Sequence, residues 1–334
     1  MGYTIMKNYS NTNNYLKKLN KMGALLFPGQ GSQIVGMGSE FYKNFDIVKK
    51  IYKSADERLN FPISKMILEG PEEKLKLTEN TQPAILTVSF SIFKVLTEEF
   101  NFEKNFFKFF AGHSLGEYSA LVSAQSINFT DALYLVHERG KEMQKAVPIG
   151  KGSMLAVLGM NIEKIQQLLK EKFINSGVCE VANDNAEGQI ILSGDKENVE
   201  KLQKDLKEKK IKCIPLKVSA PFHCSLMKPA ADAMEEKIKK IKFRLPEVRI
   251  ISNVTSSPID NSENIGKLLI EQIFSSVRWR ESVINISKLG VSNFIEIGPG
   301  KVLSGMVKRT LKDVKCFSIN TIADIKNLND ELKK

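Results

Sequence analysis

Phe106-Phe-Lys-Phe-Phe-Ala-Gly-His-Ser-Leu-Gly-Glu-Tyr-Ser-Ala-Leu-Val122 is the stretch that decides the fold. Its aromatic start has high β propensity. Gly112-His113-Ser114-Leu115-Gly116 follows, and then residues rich in helix formers. Strand, G-x-S-x-G and helix in that order are the context of a nucleophile elbow. Two glycines leave room for a turn in which other side chains would clash. The helix start would aim amide donors and a positive dipole at the exposed hydroxyl. Ser114 is therefore the candidate nucleophile, and a hydrolase-like α/β core with a parallel sheet is the predicted fold class.

The 334 residues suit one large domain with a subdomain, or two domains. An apolar share of 42% is ordinary for a globular chain with a sizeable core. No run of 18 apolar residues occurs, so no membrane span is expected. Cys179, Cys213, Cys224 and Cys316 are scattered without a C-x-x-C pair, which argues against a zinc site and fits a reducing compartment. The net charge of +11 fits an anionic substrate, an acidic protein or nucleic acid. Its lysines are spread along the chain, as on solvated helix faces, and no RNA-binding aromatic motif or zinc finger accompanies them. Residues 1–22 carry four lysines and no acid, and read as a disordered basic extension or the remnant of a transit segment.

Ala24-Leu-Leu-Phe27 reads as a buried strand running into Pro28-Gly29-Gln30-Gly31-Ser32-Gln33. Such a turn can offer backbone amides to an oxyanion, and it lacks the dinucleotide spacing. Residues 39–59 read as one helix. Thr81-Gln82-Pro83 reads as the capped start of another, expected beside the elbow strand. A helix from Thr130 to about Val147 carries Arg139 within about 60° of its apolar centre. That position suits a guanidinium snorkelling at the stripe's edge, or one held in a dry cleft to grip a carboxylate. Residues 148–217 read as β-α-β-β-α-β, a ferredoxin-like insert, with 183–188 as a turn-rich loop. The large domain is then discontinuous, over 23–147 and 218–320. Residues 321–334 read as a charged surface tail.

A serine hydroxyl needs a base, and the chain has three histidines. His113 adjoins Ser114, and neighbouring side chains of an extended segment diverge. His137 falls about 100° off its helix's apolar face and reads as a surface residue. His223, in the irregular Ser219-Ala-Pro-Phe-His223 segment, is the favoured base. No acid stands out as a third member, since Asp260 follows His223 in the chain. A backbone carbonyl accepting from Nδ1 could orient the ring instead.

Phe27-Pro-Gly-Gln-Gly-Ser-Gln33, Asn80-Thr-Gln-Pro-Ala84, Gly112-His-Ser-Leu-Gly-Glu-Tyr118, Arg139-Gly-Lys141, Asn185 with Gly188-Gln189, Ser219-Ala-Pro-Phe-His223 and Glu296-Ile-Gly-Pro-Gly300 occur in series. Together they resemble the malonyl-CoA:acyl carrier protein transacylases of type II fatty acid synthesis, over about residues 23–320. The resemblance implies the hydrolase-like core with its ferredoxin-like insert, and a ping-pong reaction. It implies Ser114 as nucleophile, His223 as base and the Gln272 main-chain carbonyl as the group orienting His223. It implies the Leu115 and Gln30 amides as oxyanion hole, and Arg139 as partner of the malonyl carboxylate. His113 and Asn185 would line the site, and the bulk of Phe222 would crowd a methyl branch. No metal and no cofactor are implied. The substrate is malonyl-CoA, and the partner is an acyl carrier protein bearing phosphopantetheine. A monomer is expected, without nucleic acid or membrane.

The Lys/Asn/Ile bias and basic extension resemble a protein from an AT-rich genome sent to a plastid-like organelle such as an apicoplast, with bacterial cytoplasm as the alternative. Two other functions share some features. A serine esterase or thioesterase would use the same elbow, and a basic binding protein would need only the charge.

Overall fold

The computed structural model describes residues 23–173 and 177–333, so the basic stretch 1–22 lies outside the described residues. In chain order, strand β1 (Gly23–Phe27) leads to helices α1 (Ser39–Asn44), α2 (Asp46–Leu59), α3 (Ile63–Glu69), α4 (Glu72–Leu75) and α5 (Thr78–Lys94). Strand β2 (Phe107–Gly112) is followed by α6 (Gly116–Ser123) and α7 (Phe129–Lys145). The inserted segment holds β3 (Gly152–Leu158), α8 (Ile162–Phe173), β4 (Cys179–Ala186), β5 (Gln189–Asp195), α9 (Lys196–Glu208) and β6 (Lys212–Pro215). The chain closes with α10 (Lys228–Lys239), β7 (Arg249–Ile251), α11 (Glu263–Phe274), α12 (Trp279–Lys288), β8 (Asn293–Ile297), α13 (Val302–Thr310), β9 (Lys315–Ile319) and α14 (Ile322–Lys333).

The main sheet has the order β7-β2-β1-β8-β9, and every pair in it is parallel. Its central strands are buried on both faces, as the unbroken apolar run Ala24–Phe27 requires. Because the strands are parallel, the turns after β1, β2 and β8 emerge at one edge. Phe27 pairs with Gly112 there, so the Pro28–Gln33 turn lies beside the elbow. The ring of Phe110 meets Phe27 and Phe93 edge-on at 5.7 Å each, which seats α5 on the elbow strand as expected.

The second sheet has the order β4-β5-β3-β6 and is antiparallel, the ferredoxin-like arrangement. Leu155, Val157, Ile190 and Leu192 of its strands pack against Ile165 of α8 and Val199, Leu202 and Leu206 of α9. The insert is fastened to the core by backbone. Asp184 N donates to Val277 O at 3.0 Å, and Val277 N to Ala182 O at 2.9 Å. Arg280 clamps both carboxylate oxygens of Asp184 at 3.0 Å.

Several local expectations are corrected. The span 39–59 is two helices, broken where Phe45 turns extended. The span 183–188 is mostly strand: β4 runs to Ala186 through two bulges, leaving Glu187-Gly188 as the turn. Thr81 is not a cap. Helix α5 starts at Thr78, and the Thr81 hydroxyl donates back to Leu75 O at 2.6 Å. Pro83 therefore lies inside the helix and cannot donate to the carbonyl of Glu79, four residues back. His137 supplies the missing donor, its Nδ1 lying 2.8 Å from Glu79 O. It is thus a half-buried packing residue, against Phe61, and not a surface one.

The expected charged tail is also corrected. Residues 322–333 form a helix, and Ile325, Leu328 and Leu332 join the main core. The charges that dominate the sequence there occupy the outer face. Leu328 is buried, so Leu328→Ala should cost about 2–5 kcal/mol, read from the urea midpoint. A dangling tail would change stability by no more than about 0.5 kcal/mol.

Candidate active site

The elbow is built by exclusion of side chains. A Cβ on Gly112 would sit 1.9 Å from the Gly116 carbonyl, and one on Gly116 would sit 2.2 Å from Phe27 O. The chain can fold this tightly only with hydrogen at both positions. Ser114 between them takes φ +54°, left-handed backbone that a side-chain-bearing residue adopts only when its surroundings hold it there. Its amide donates to Asn253 Oδ1 at 2.7 Å, and Asn253 Nδ2 donates to Gly112 O at 2.6 Å. One side chain thus grips the turn from both ends.

The structure brings Ser114, His223, Gln272 and Arg139 together. Ser114 Oγ lies 2.8 Å from His223 Nε2, and His223 Nδ1 lies 2.9 Å from the Gln272 carbonyl oxygen. A carbonyl can only accept, so Nδ1 carries the proton and Nε2 presents its lone pair to the serine hydroxyl. Burial, and then the charge of Arg139, lower the His223 pKa to about 3, so the ring is neutral and free to accept. Arg139 is 1% exposed. Its Nη2 donates to Ser114 Oγ at 3.0 Å and to Gln272 Oε1 at 2.8 Å, and its Nη1 donates to Gln82 Oε1 at 2.7 Å. Among the described residues no carboxylate forms an ion pair with it, and its buried Nε lacks an acceptor. A buried, unpaired guanidinium is costly, and the site is therefore complementary to an anion. Of the two sequence readings of Arg139, snorkelling at a stripe's edge is excluded by this burial.

The other expected site residues surround this group. Leu115 follows Ser114 as the N-cap of α6. Gly29 presses on the elbow so closely that a Cβ there would lie 2.6 Å from His113 O, which places the adjoining Gln30 at the turn. Among the described residues no acceptor meets the Leu115 or Gln30 amide. His113 does not bond to Ser114. Its Nε2 lies 2.8 Å from Asn185 Oδ1, and its ring meets Trp279 edge-on at 5.6 Å. Asn185 comes from β4, so the insert reaches into the site. Phe222 is buried beside His223, which itself takes φ 57°.

Three residues that the sequence did not single out belong here. Asn253 carries the elbow, and Gln82 holds Arg139. Glu117 is buried in the first turn of α6, where its Oε2 accepts from Gln272 Nε2 at 2.6 Å and from Asn253 N at 3.2 Å. Glu117 and Gln82 lay inside quoted motifs, but only their burial reveals a polar task. Among the described residues no cluster of His, Cys, Asp and Glu could hold a metal ion, and no helix is long and apolar enough to cross a membrane.

Comparison with known proteins gives a consistent match. The acyl transferase domain family matches residues 24–333. The malonyl CoA-acyl carrier protein transacylase of Bacillus subtilis is 44% identical over 298 residues, 89% of this chain and 93% of that protein. The chain belongs to the malonyl CoA-acyl carrier protein transacylase family. It is an acyltransferase. The crystal structure of an acyl carrier protein S-malonyltransferase from Vibrio cholerae superposes with a TM-score of 0.88 at 39% identity, covering 92% of this chain and 99% of that one. A malonyl-transacylase in complex with its type II PKS acyl-carrier protein superposes with a TM-score of 0.88 at 38% identity, over 92% and 99% of the two chains. The named organisms are bacteria, and none of these relatives supports the plastid-like address. A Lys/Asn/Ile bias reports the base composition of a gene rather than the destination of its product.

The protonation of His223 has a measurable consequence. Between about pH 3 and pH 6.5 the unfolded chain protonates this ring and the native site does not. Stability contributed by the neutral ring therefore falls as the pH drops through that window. The pH dependence of the urea midpoint should be shallower there in His223→Gln than in the unaltered protein.

Proposed function

We propose that the protein moves a malonyl group from malonyl-CoA to the phosphopantetheine thiol of an acyl carrier protein, through a malonyl ester on Ser114. The observation that carries this reading is a buried arginine, without a carboxylate partner, 3.0 Å from the hydroxyl that a neutral histidine can deprotonate. An esterase needs only the serine and the histidine. A cation at the acyl position adds selection for an acyl group ending in a carboxylate.

In the first half-reaction Ser114 Oγ attacks the thioester carbon as its proton passes to His223 Nε2. The Leu115 and Gln30 amides take the developing oxyanion. Collapse of the tetrahedral adduct breaks the C–S bond, and the coenzyme A thiolate leaves with the proton from His223. Acylation turns the hydroxyl into an ester oxygen, a weaker acceptor, which frees an Arg139 Nη2 hydrogen for the malonyl carboxylate. In the second half-reaction the carrier thiol gives its proton to His223 and its sulfur attacks the ester carbon. Ser114 Oγ then leaves and recovers the proton. The Gln272 carbonyl keeps the imidazole in the required tautomer and steadies its charged form. His113 and Asn185 line the site, and Phe222 disfavours a methyl-branched acyl group.

The relatives' printed names support the substrate and the carrier. The net charge of +11 suits steering of an acidic carrier protein. We read the protein as a monomer that needs no metal or cofactor of its own. We place it in a bacterial cytoplasm, in keeping with its bacterial relatives.

Mass spectrometry of the intact protein tests the scheme. Malonyl-CoA should leave one malonyl adduct on Ser114, lost on addition of acyl carrier protein and absent from Ser114→Ala. Thioester consumption without a lasting adduct would favour the esterase. Arg139→Ala should load malonyl about 100-fold more slowly while still loading acetyl, as expected for loss of a buried charge pair. Equal loss on both substrates would exclude the carboxylate role.

A further inference from the structure

Glu117 is a carboxyl with no place in the scheme above, yet it bonds to the two residues that hold the serine turn and the histidine. It is 1% exposed. Gln272 Nε2 donates to its Oε2 at 2.6 Å, and the Asn253 amide donates to the same oxygen at 3.2 Å. Asn253 grips the Ser114 turn, and Gln272 orients His223 through its carbonyl. Gln272 also donates to Ser114 O at 3.1 Å and accepts from Arg139 on its Oε1. Carboxylate, amide and guanidinium are thus joined in series by hydrogen bonds, with one glutamine side chain between two buried charges.

We propose that Glu117 is a positioning residue that acts in its ionised form, fixing through Gln272 and Asn253 the two halves of the Ser114–His223 pair. The two hydrogen bonds on Oε2 favour the carboxylate. Oε2 is occupied by two N–H donors, so a proton there would face both. Oε1 is buried without a partner, so a proton there would find no acceptor. The ionised form also offsets the field of Arg139, which opposes the positive charge that His223 takes up during attack. The charged group of another element acting on Glu117 is Arg139 of α7, and Tyr118 adjoins it on its own helix. His113 and His223 stay neutral, because burial lowers both. Burial pushes the Glu117 carboxyl up to about 7, against the Gln272 and Asn253 hydrogen bonds and Arg139. Activity should therefore be lost as the pH falls through neutrality.

The inference rests on Ser114 and His223 as the reacting pair, and the experiment separates the two. The kcat/KM for malonyl loading of Ser114, followed against pH, reports the free enzyme. In the unaltered protein it should fall about tenfold per pH unit below about pH 7 and level off above. Glu117→Gln should load malonyl at least about tenfold more slowly at pH 8 with KM for malonyl-CoA unchanged, and its acid limb should vanish. A merely structural glutamate would lower thermal stability and leave the limb in place. Retention of the limb in Glu117→Gln, or a flat profile in the unaltered protein, overturns the proposal. Failure of the unaltered protein to load malonyl would instead overturn the proposed function. Should Glu117→Gln not fold, infrared pH-difference spectra of the unaltered protein decide. A buried carboxyl should titrate with the midpoint of loading, and a mismatch of a full pH unit refutes the assignment.

Discussion

Ser114 is held in a backbone conformation that costs about 1–3 kcal/mol wherever a side chain is present. Much of the molecule can be read as the means of holding it. Gly112 and Gly116 let β2, the turn and α6 approach within distances that no Cβ could survive. The aromatic packing of Phe110 on Phe27 and Phe93 fixes the strand from which the turn departs. Asn253 closes the turn by bonding to both of its ends. Backbone distortion of this size persists only where such neighbours over-determine it.

The electrostatics follow from the same dryness. Two opposite charges, Glu117 and Arg139, are buried on either side of the Gln272 amide. Neither forms a direct ion pair with the other, and each retains one nitrogen or oxygen without a partner among the described residues. The cation donates to Ser114 Oγ, and the anion accepts from Gln272 and Asn253. A carboxylate arriving beside Arg139 thus supplies the direct ion pair that Glu117, held across the Gln272 amide, does not make. The neutral state of His223 belongs to this balance, because burial and a nearby cation disfavour imidazolium until substrate brings charge of its own.

The elbow, the parallel core and the ferredoxin-like insert were legible because each is written in contiguous residues. Glycine spacing, an aromatic strand and the change of texture near residue 148 carry them. The pairing of Ser114 with His223 was legible by chemistry and elimination, Arg139 was left between two readings by its helix position, and Gln272 entered only through resemblance to a family. What escaped depends on partners far along the chain. Pro83 looked like a first-turn residue because nothing nearby announces that His137 caps Glu79 O from another helix. Asn253 drew no reading as a site residue from the sequence, although its side chain reaches across to the elbow. The last helix hid behind its charges, since three buried apolar side chains in twelve residues are a weak periodic signal. Glu117 was quoted as part of a motif, yet a glutamate one residue into a helix ordinarily reads as a favourable dipole partner facing water.

The distance between Ser114 and His223 in the chain has a consequence for how the protein comes into being. The two are 109 positions apart, and Gln272 lies a further 49 beyond His223. The whole inserted body is made between the serine and its base. During synthesis the elbow leaves the ribosome long before His223, and Gln272, which sets the tautomer of that ring, follows later still. Arg139 emerges only 25 residues after Ser114. The nascent chain therefore holds the residue proposed to select anions before the one proposed as base, and a product cut short before His223 carries the serine without that base.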